Sequence, residues 1–278
     1  MDQRKKDGKH PALNSINDVK LIKQKILQIV HKANSSHLGS CLSVVDILTV
    51  IYSEIVDKVA IKNRDVDRDI VIMSKGHAAA AYYSVLNEYG FVSNEDLDNY
   101  LENDTKLGGH IHHLGNEFVE LSTGSLGHGL PYGVGTALAQ KRLKRSGRTF
   151  VIISDGECDE GTTWESALLA NQFELNNLVV VIDRNMIQSL DSTESVLALE
   201  PLASKWASFN WNVLEIDGHS HEELFTALSN VDGPLCIIAN TIKGRGVSFM
   251  EGKVLWHYKS PTKEEYANAL REIQGEPN

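Results

Sequence analysis

Residues 149–187 read TFVIISDGECDEGTTWESALLANQFELNNLVVVIDRNMI, and the architecture follows from them. Two runs of β-branched and aliphatic residues, 149–153 and 178–182, have strand length and no polar alternation, so both of their faces are expected to be covered. Between them Trp164, Ala167, Leu168, Asn171 and Leu175 recur at helical spacing. Strand, helix and strand in this order form a β-α-β crossover, which sets the two strands parallel and favours their being neighbours.

Outward from this unit, residues 70–73, 213–216 and 235–239 are further strand-length apolar runs, separated by stretches with helical spacing. The whole predicts an α/β fold: a doubly wound, mostly parallel sheet with helices on both faces. Near the start, Val19, Ile22, Ile26, Ile29 and Val30 predict a helix capped by Asn17 or Ser15 that runs to a loop near Asn34. Residues 1–13 are polar and aperiodic and are expected to form a mobile tail. Residues 14–278, without repeat, low-complexity tract or Pro-rich linker, are expected to form one domain. A short helix over 262–273 and a polar tail end the chain.

Composition narrows the function. The 278 residues are 42% hydrophobic and 23% charged, with a formal net charge of -10, which suits a globular protein and argues against nucleic acid as a partner. No apolar run is expected to reach bilayer length, and residues 1–14 lack the apolar core of a secretory signal, so a cytoplasmic protein without membrane contact is expected. Cys41, Cys158 and Cys236 are odd in number and widely spaced, as free thiols in a reducing compartment would be.

In a doubly wound sheet, ligands bind beyond the carboxyl ends of the strands. There the sequence places Asp155 and Gly156 after one strand and Asn185 and Ile187 after the next. A carboxylate, an amide carbonyl and a backbone carbonyl from Ile187 make a hard oxygen set suited to Mg²⁺, or to Ca²⁺ or Mn²⁺, whose remaining positions phosphate oxygens and water can fill. Gly156 lets backbone approach a phosphate and donate its amide. A lone Asp-Gly after a strand is usually only a turn; the Asn about thirty residues later is what raises the pair above that reading.

The pattern SDGE…VVVIDRN resembles the thiamine diphosphate motif Gly-Asp-Gly…Asn, with Ser154 in place of the first glycine. The resemblance then becomes specific to the transketolase family and covers nearly the whole chain. ANSSHLGS looks like the family's Ser-Gly-His-Pro segment, which implies a substrate contact for His37 and a cofactor contact for Ser40; Leu38 replaces proline. SKGHAA implies that His77 faces the cofactor diphosphate and the substrate channel. GGHIHH is similar to Gly-His-Pro and implies a substrate contact for His110, with His112 and His113 as alternatives. STGSLGHG implies that Gly124, Ser125 and Leu126 line the thiamine rings, with His128 in place of glutamine. Glu157 falls among the implied cofactor contacts, and Glu160 and Glu165 toward a subunit contact. KGRG…LWHY implies Lys243 and His257 as cofactor and substrate ligands, with Tyr258 where the family has glycine.

Thiamine diphosphate, Mg²⁺ and sugar or sugar-phosphate substrates are thereby expected. In this family the glutamate that activates the cofactor sits on a separate pyrimidine-binding domain, and no counterpart of it is expected within these 278 residues. The resemblance to split transketolases implies a C-terminal partner subunit, an α2β2 heterotetramer, and two-carbon ketol transfer only by the pair. The rivals are half of another thiamine enzyme, such as a deoxyxylulose-phosphate synthase-like protein or a 2-oxo acid dehydrogenase α subunit, and a non-catalytic cofactor-binding partner.

Overall fold

In the computed structural model, which describes residues 15–231 and 233–275, each apolar run becomes a strand: Ile70–Met73 (β1), Thr149–Ser154 (β2), Leu178–Arg184 (β3), Asn212–Asp217 (β4) and Leu235–Asn240 (β5). They form one parallel sheet in the order β1-β2-β3-β5-β4. The expected tail at residues 1–13 lies outside the described residues.

The helices are Ser15–Lys32 (α1), Leu38–Val50 (α2), Lys58–Lys62 (α3), Ala79–Glu88 (α4), Asn94–Asp98 (α5) and Gly129–Arg142 (α6). They continue with Gly161–Gln172 (α7), Thr193–Val196 (α8), Leu202–Ser208 (α9), His221–Ser229 (α10) and Lys263–Gln274 (α11). The period of two along each strand divides the core. Phe150, Ile152, Val179, Val181 and Ile237 pack with α1, α2, α4 and α10, whereas Val151, Ile153, Val180, Ile182 and Ile238 pack with α6, α7 and α9. The sheet is therefore wound on both sides, as expected.

Four expectations need correction. Asn17 does not cap α1: the helix already includes Ser15, whose amide donates to Glu54 (3.3 Å) and whose hydroxyl meets His221 Nδ1 (2.8 Å). Burial on both faces fails for β4, one of the two edge strands, where Leu214 is 40% exposed, whereas β1 at the other edge is buried. In α7 the inward stripe is Thr163, Ser166, Ala167 and Ala170, leaving Leu168 exposed and Leu175 beyond the helix. Finally, α2 continues through a wider turn, Ile51–Ile55, to give an apolar helical segment of 18 residues, Leu38–Ile55, long enough to span a bilayer; it is 83% buried inside the fold as its central helix. Small residues in the first turn, Gly39 and Ser40, let its amino end meet the loops beyond the strands. Its termination is marked by Asp57, which caps α3 through the amides of Val59 and Ala60. The three cysteines are free and buried.

Candidate functional site

β2 and β3 stay paired to their last residues, Ser154 opposite Asp183, so Asp155 and Asn185 leave the sheet at one rim. Met186 takes a left-handed conformation (φ 65°) that turns its amide back onto Asp155 Oδ2 at 2.7 Å, while the Gly156 amide donates to Oδ1 at 2.9 Å. Asn185 Oδ1 accepts the Ile187 amide at 3.2 Å, and the Ile187 carbonyl accepts Lys243 Nζ at 2.8 Å. Asp155 Oδ2 also accepts Arg184 Nη1 at 3.4 Å, whereas Asp155 Oδ1, Asn185 Oδ1 and the Ile187 carbonyl each keep a lone pair, since carboxylate and carbonyl oxygens accept more than one bond. Three hard donors on one rim suit a small divalent cation.

The electrostatics point the same way. Burial, then the neighbouring Asp183 charge, pushes the Asp155 carboxyl up; a cation at its oxygens would relieve both. Asp183 itself is held down against burial by Lys75, fully buried beside it, and by hydroxyls of Ser43 (2.6 Å) and Thr241. Breaking such a buried pair by removing one partner costs about 3–5 kcal/mol. Asn185 Nδ2 lies 3.4 Å from Asp183 Oδ2, which turns Asn185 Oδ1 toward the rim.

A cavity of about 220 Å³ opens above these loops. Asp155, Gly156, Asn185, Ile187 and Lys243 line it, together with Gly124 and Leu126. Ser40 lines it too, 1% exposed, and its buried Oγ has no hydrogen-bond partner among the described residues. A Cβ added at Gly156 would meet only Gln188 side-chain atoms at 3.6 Å or more, so that face stays open. An orphaned hydroxyl, an open glycine face and an ammonium fit a diphosphate.

Four histidines from four separate segments line the same cavity. The His37 ring centroid lies 5.4 Å from that of His77, 5.7 Å from His110 and 5.3 Å from His257, and His77 lies 5.8 Å from His257. Local structure sets this convergence. His37 is left-handed (φ 68°) at the start of α2, and Gly76 allows His77 its place because any Cβ there would fall 2.2 Å from the Thr123 carbonyl oxygen. Burial, reinforced by the charges of Lys243 and Lys75, lowers His37 to about 4 and His257 to about 3, and drives His77 well below its usual value. These three rings are neutral at physiological pH and can donate and accept hydrogen bonds. Lys243, lowered to about 7 by burial and then by Lys75, lies 2.7 Å from His257 Nδ1.

Of the residues expected at the site, all line this cavity except Ser125 and Glu157. Ser125 points to solvent. The Glu157 carboxylate is consumed below the site, taking the Ser154 amide (2.9 Å), the Gly127 amide (3.1 Å) and the Ser74 hydroxyl. It ties three loops together and has no side-chain face toward the cavity. Among the three neighbouring histidines, only His110 lines the cavity; His113 is exposed on Ser122 (2.6 Å). His128 is exposed and lies on the Leu126 carbonyl. Tyr258 is 77% exposed, edge-on to His37 at 5.2 Å, in the wall of an adjoining vestibule of about 620 Å³ that shares His37 and His110 with the cavity. Gln188 and Ser189, which also line the cavity, were missed, and so was the buried Lys75–Asp183 pair outside its lining. A charged residue at or just after a buried apolar strand was the available signal for the pair.

A sequence family described as "Transketolase, thiamine diphosphate binding domain" matches residues 15–277. The chain is 40% identical over 257 residues to an apulose-4-phosphate transketolase subunit of Phocaeicola vulgatus, covering 90% of both. It is 34% identical to the 6-deoxy-6-sulfo-D-fructose transketolase subunit of Clostridium sp., covering 92% of this chain and 94% of that one. Among solved structures, the transketolase of Leishmania mexicana superposes with a TM-score of 0.87 at 27% identity, over 97% of this chain and 42% of that one. The chain thus has the length of the subunits it matches and spans less than half of that transketolase. It belongs to the transketolase family, as a thiamine diphosphate binding domain.

Proposed function

We propose that this chain is the diphosphate-binding subunit of a split, cytoplasmic transketolase that moves a two-carbon ketol unit from a ketose or ketose phosphate to an aldose. The observation that carries the reading is one cavity lined both by Asp155, Asn185 and Ile187, from one rim of the sheet, and by His37, His77, His110 and His257. Relatives of the same length are named as single subunits of transketolases, which supports a partner carrying the pyrimidine-binding domain, in an α2β2 assembly. Exposed Glu160 and Glu165 at α7 are candidates for that contact.

Thiamine diphosphate, when bound, supplies a nucleophilic carbon and an electron sink for cleaving the ketose. The chain's part is to hold it and to manage protons. Asp155, Asn185 and the Ile187 carbonyl would take Mg²⁺; Ser40, Gly156 and Lys243 would take the diphosphate. The neutral rings of His37, His77 and His257 can hold sugar hydroxyls and pass a proton without standing cationic charge beside the reacting atoms, and His110 lies beside His37, their ring centroids 5.7 Å apart, where cavity and vestibule meet. Among the described residues the vestibule is lined by one lysine, Lys259, and this is already paired with Glu265. An anionic group at the far end of a sugar would therefore be held mainly by the partner chain.

The test is ketose cleavage and aldose extension by the isolated chain and by the pair reconstituted with a pyrimidine-domain subunit. Turnover by the pair alone supports the reading. Full turnover by the isolated chain, or turnover of a 2-oxo acid instead of a ketose, overturns it.

A further inference from the structure

A second polar cluster lies outside the cavity lining. Asp46, midway along α2 and 4% exposed, faces His219 Nδ1 at 2.9 Å and His221 Nε2 at 3.0 Å, with Lys23 Nζ at 3.6 Å. The far nitrogen of His219, Nε2, accepts the Ile242 amide at 2.9 Å. A backbone N–H can only donate, so Nε2 carries no hydrogen, and the ring hydrogen sits on Nδ1, pointing at the carboxylate. One tautomer of His219 is therefore fixed from both ends. His221 is fixed in the opposite sense, giving Nε2–H to Asp46 while Nδ1 receives the Ser15 hydroxyl at 2.8 Å.

Ile242 immediately precedes Lys243, and α2, which carries Asp46, also carries Ser40. The contacts thus run from the helix on one flank of the cavity, through Asp46 and His219, to the backbone on the other. The same loop is tied by the Gly244 amide to the Gly39 carbonyl at 2.9 Å. Gly244 has φ 82°, and a Cβ there would fall 2.6 Å from the Met250 carbonyl oxygen, so the loop has little freedom on that side. A lysine is a compact charge on a long flexible stem, and its ammonium is placed only as well as its backbone is.

We propose that His219, locked in one tautomer by Asp46, is a positioning residue that fixes the backbone at Ile242 so that the Lys243 ammonium faces the diphosphate site. The proposal rests on the reading of Lys243 as a diphosphate ligand. It assigns to an Asp-His pair outside the cavity lining, on a buried aspartate and a half-buried histidine, a part in setting the width of the anion site.

The test is calorimetric titration of inorganic diphosphate with Mg²⁺ into the full chain, alongside melting temperature. His219→Asn keeps a donor near the Nδ1 position for Asp46 but has no atom at Nε2; His219→Gln restores an acceptor there. His219→Asn is expected to weaken diphosphate about tenfold, the worth of one hydrogen bond, and His219→Gln to recover most of that loss. In a cycle with Lys243→Ala, the double variant His219→Asn/Lys243→Ala should bind no more weakly than Lys243→Ala alone, because His219 acts through Lys243. Folded His219→Asn with wild-type affinity, or losses that multiply in the cycle, would overturn the proposal. If His219→Asn does not fold, His219→Gln decides: near wild-type affinity supports the proposal, and a loss equal to that of Lys243→Ala overturns it. A wild type that binds no diphosphate, or a Lys243→Ala variant with unchanged affinity, would sink the reading of the site itself.

Discussion

The Ile187 carbonyl oxygen accepts a hydrogen bond from Lys243 Nζ at 2.8 Å, joining one of the three rim oxygens to the cavity's ammonium. Ile187 follows β3 and Lys243 follows β5, adjacent strands of the sheet. The positive charge that would meet a diphosphate and the oxygens that would hold its cation are thus set by neighbouring strand ends.

Asp155 illustrates a site held at the expense of stability. Its carboxyl is pushed up by burial and by Asp183, so the ionised form favours unfolding and, for this group, stability falls as pH rises above its unfolded value. Asp155→Asn should raise the melting temperature of the cofactor-free chain by about 2–4 °C, read by differential scanning calorimetry. A lower melting temperature would show that the carboxylate is a structural element.

Asp183 should behave oppositely. Its loss strands the fully buried Lys75, so Asp183→Asn should cost about 3–5 kcal/mol in urea denaturation. A cost under about 1 kcal/mol would mean that Lys75 finds another partner.

The four-histidine cluster separates residues that are alike in sequence. In the reconstituted pair, His77→Ala should lower kcat/KM at least about a hundredfold, and His113→Ala less than about threefold. Steady-state kinetics on one ketose donor distinguishes them, and equal losses would contradict the placement.

Acid should destabilise the chain through the same cluster. His37 and His257 are lowered to about 4 and about 3 in the fold, against the ordinary value of 6.5. Between pH 6.5 and about 4 the unfolded chain binds protons that the folded chain refuses, so stability falls as pH falls through that window. His37→Asn should flatten the dependence of denaturation midpoint on pH there; an unchanged slope would argue against the buried neutral ring.

Legibility in the sequence differs by element. Strands β1, β2, β3 and β5 were legible because each is a continuous apolar run, and the crossover between β2 and β3 then placed Asp155 beside Asn185. The edge position of β4 was not legible, since Val213, Leu214 and Ile216 look like any core strand until the strand order is known. Nor was the inward stripe of α7, where the small residues face the sheet and Leu168 and Leu169 face out. In the site, the histidines could be chosen from motif segments. The Lys75 and Asp183 pair could not, because it joins residues 108 positions apart, and a sequence does not show which charges are buried together. Nor does a sequence show that the Glu157 carboxylate, two residues after Asp155 in the short 3-10 turn Asp155–Asp159, is spent on the Ser154 and Gly127 amides.

The most direct measurement is calorimetric titration of thiamine diphosphate into the reconstituted pair, with Mg²⁺ or with EDTA, for the wild type and for Asp155→Ala. Saturable binding that requires the divalent ion, weakened at least about a hundredfold in Asp155→Ala, is the predicted result. Binding of equal strength in EDTA, or an unchanged affinity in the variant, would contradict a cation held between the loops after β2 and β3.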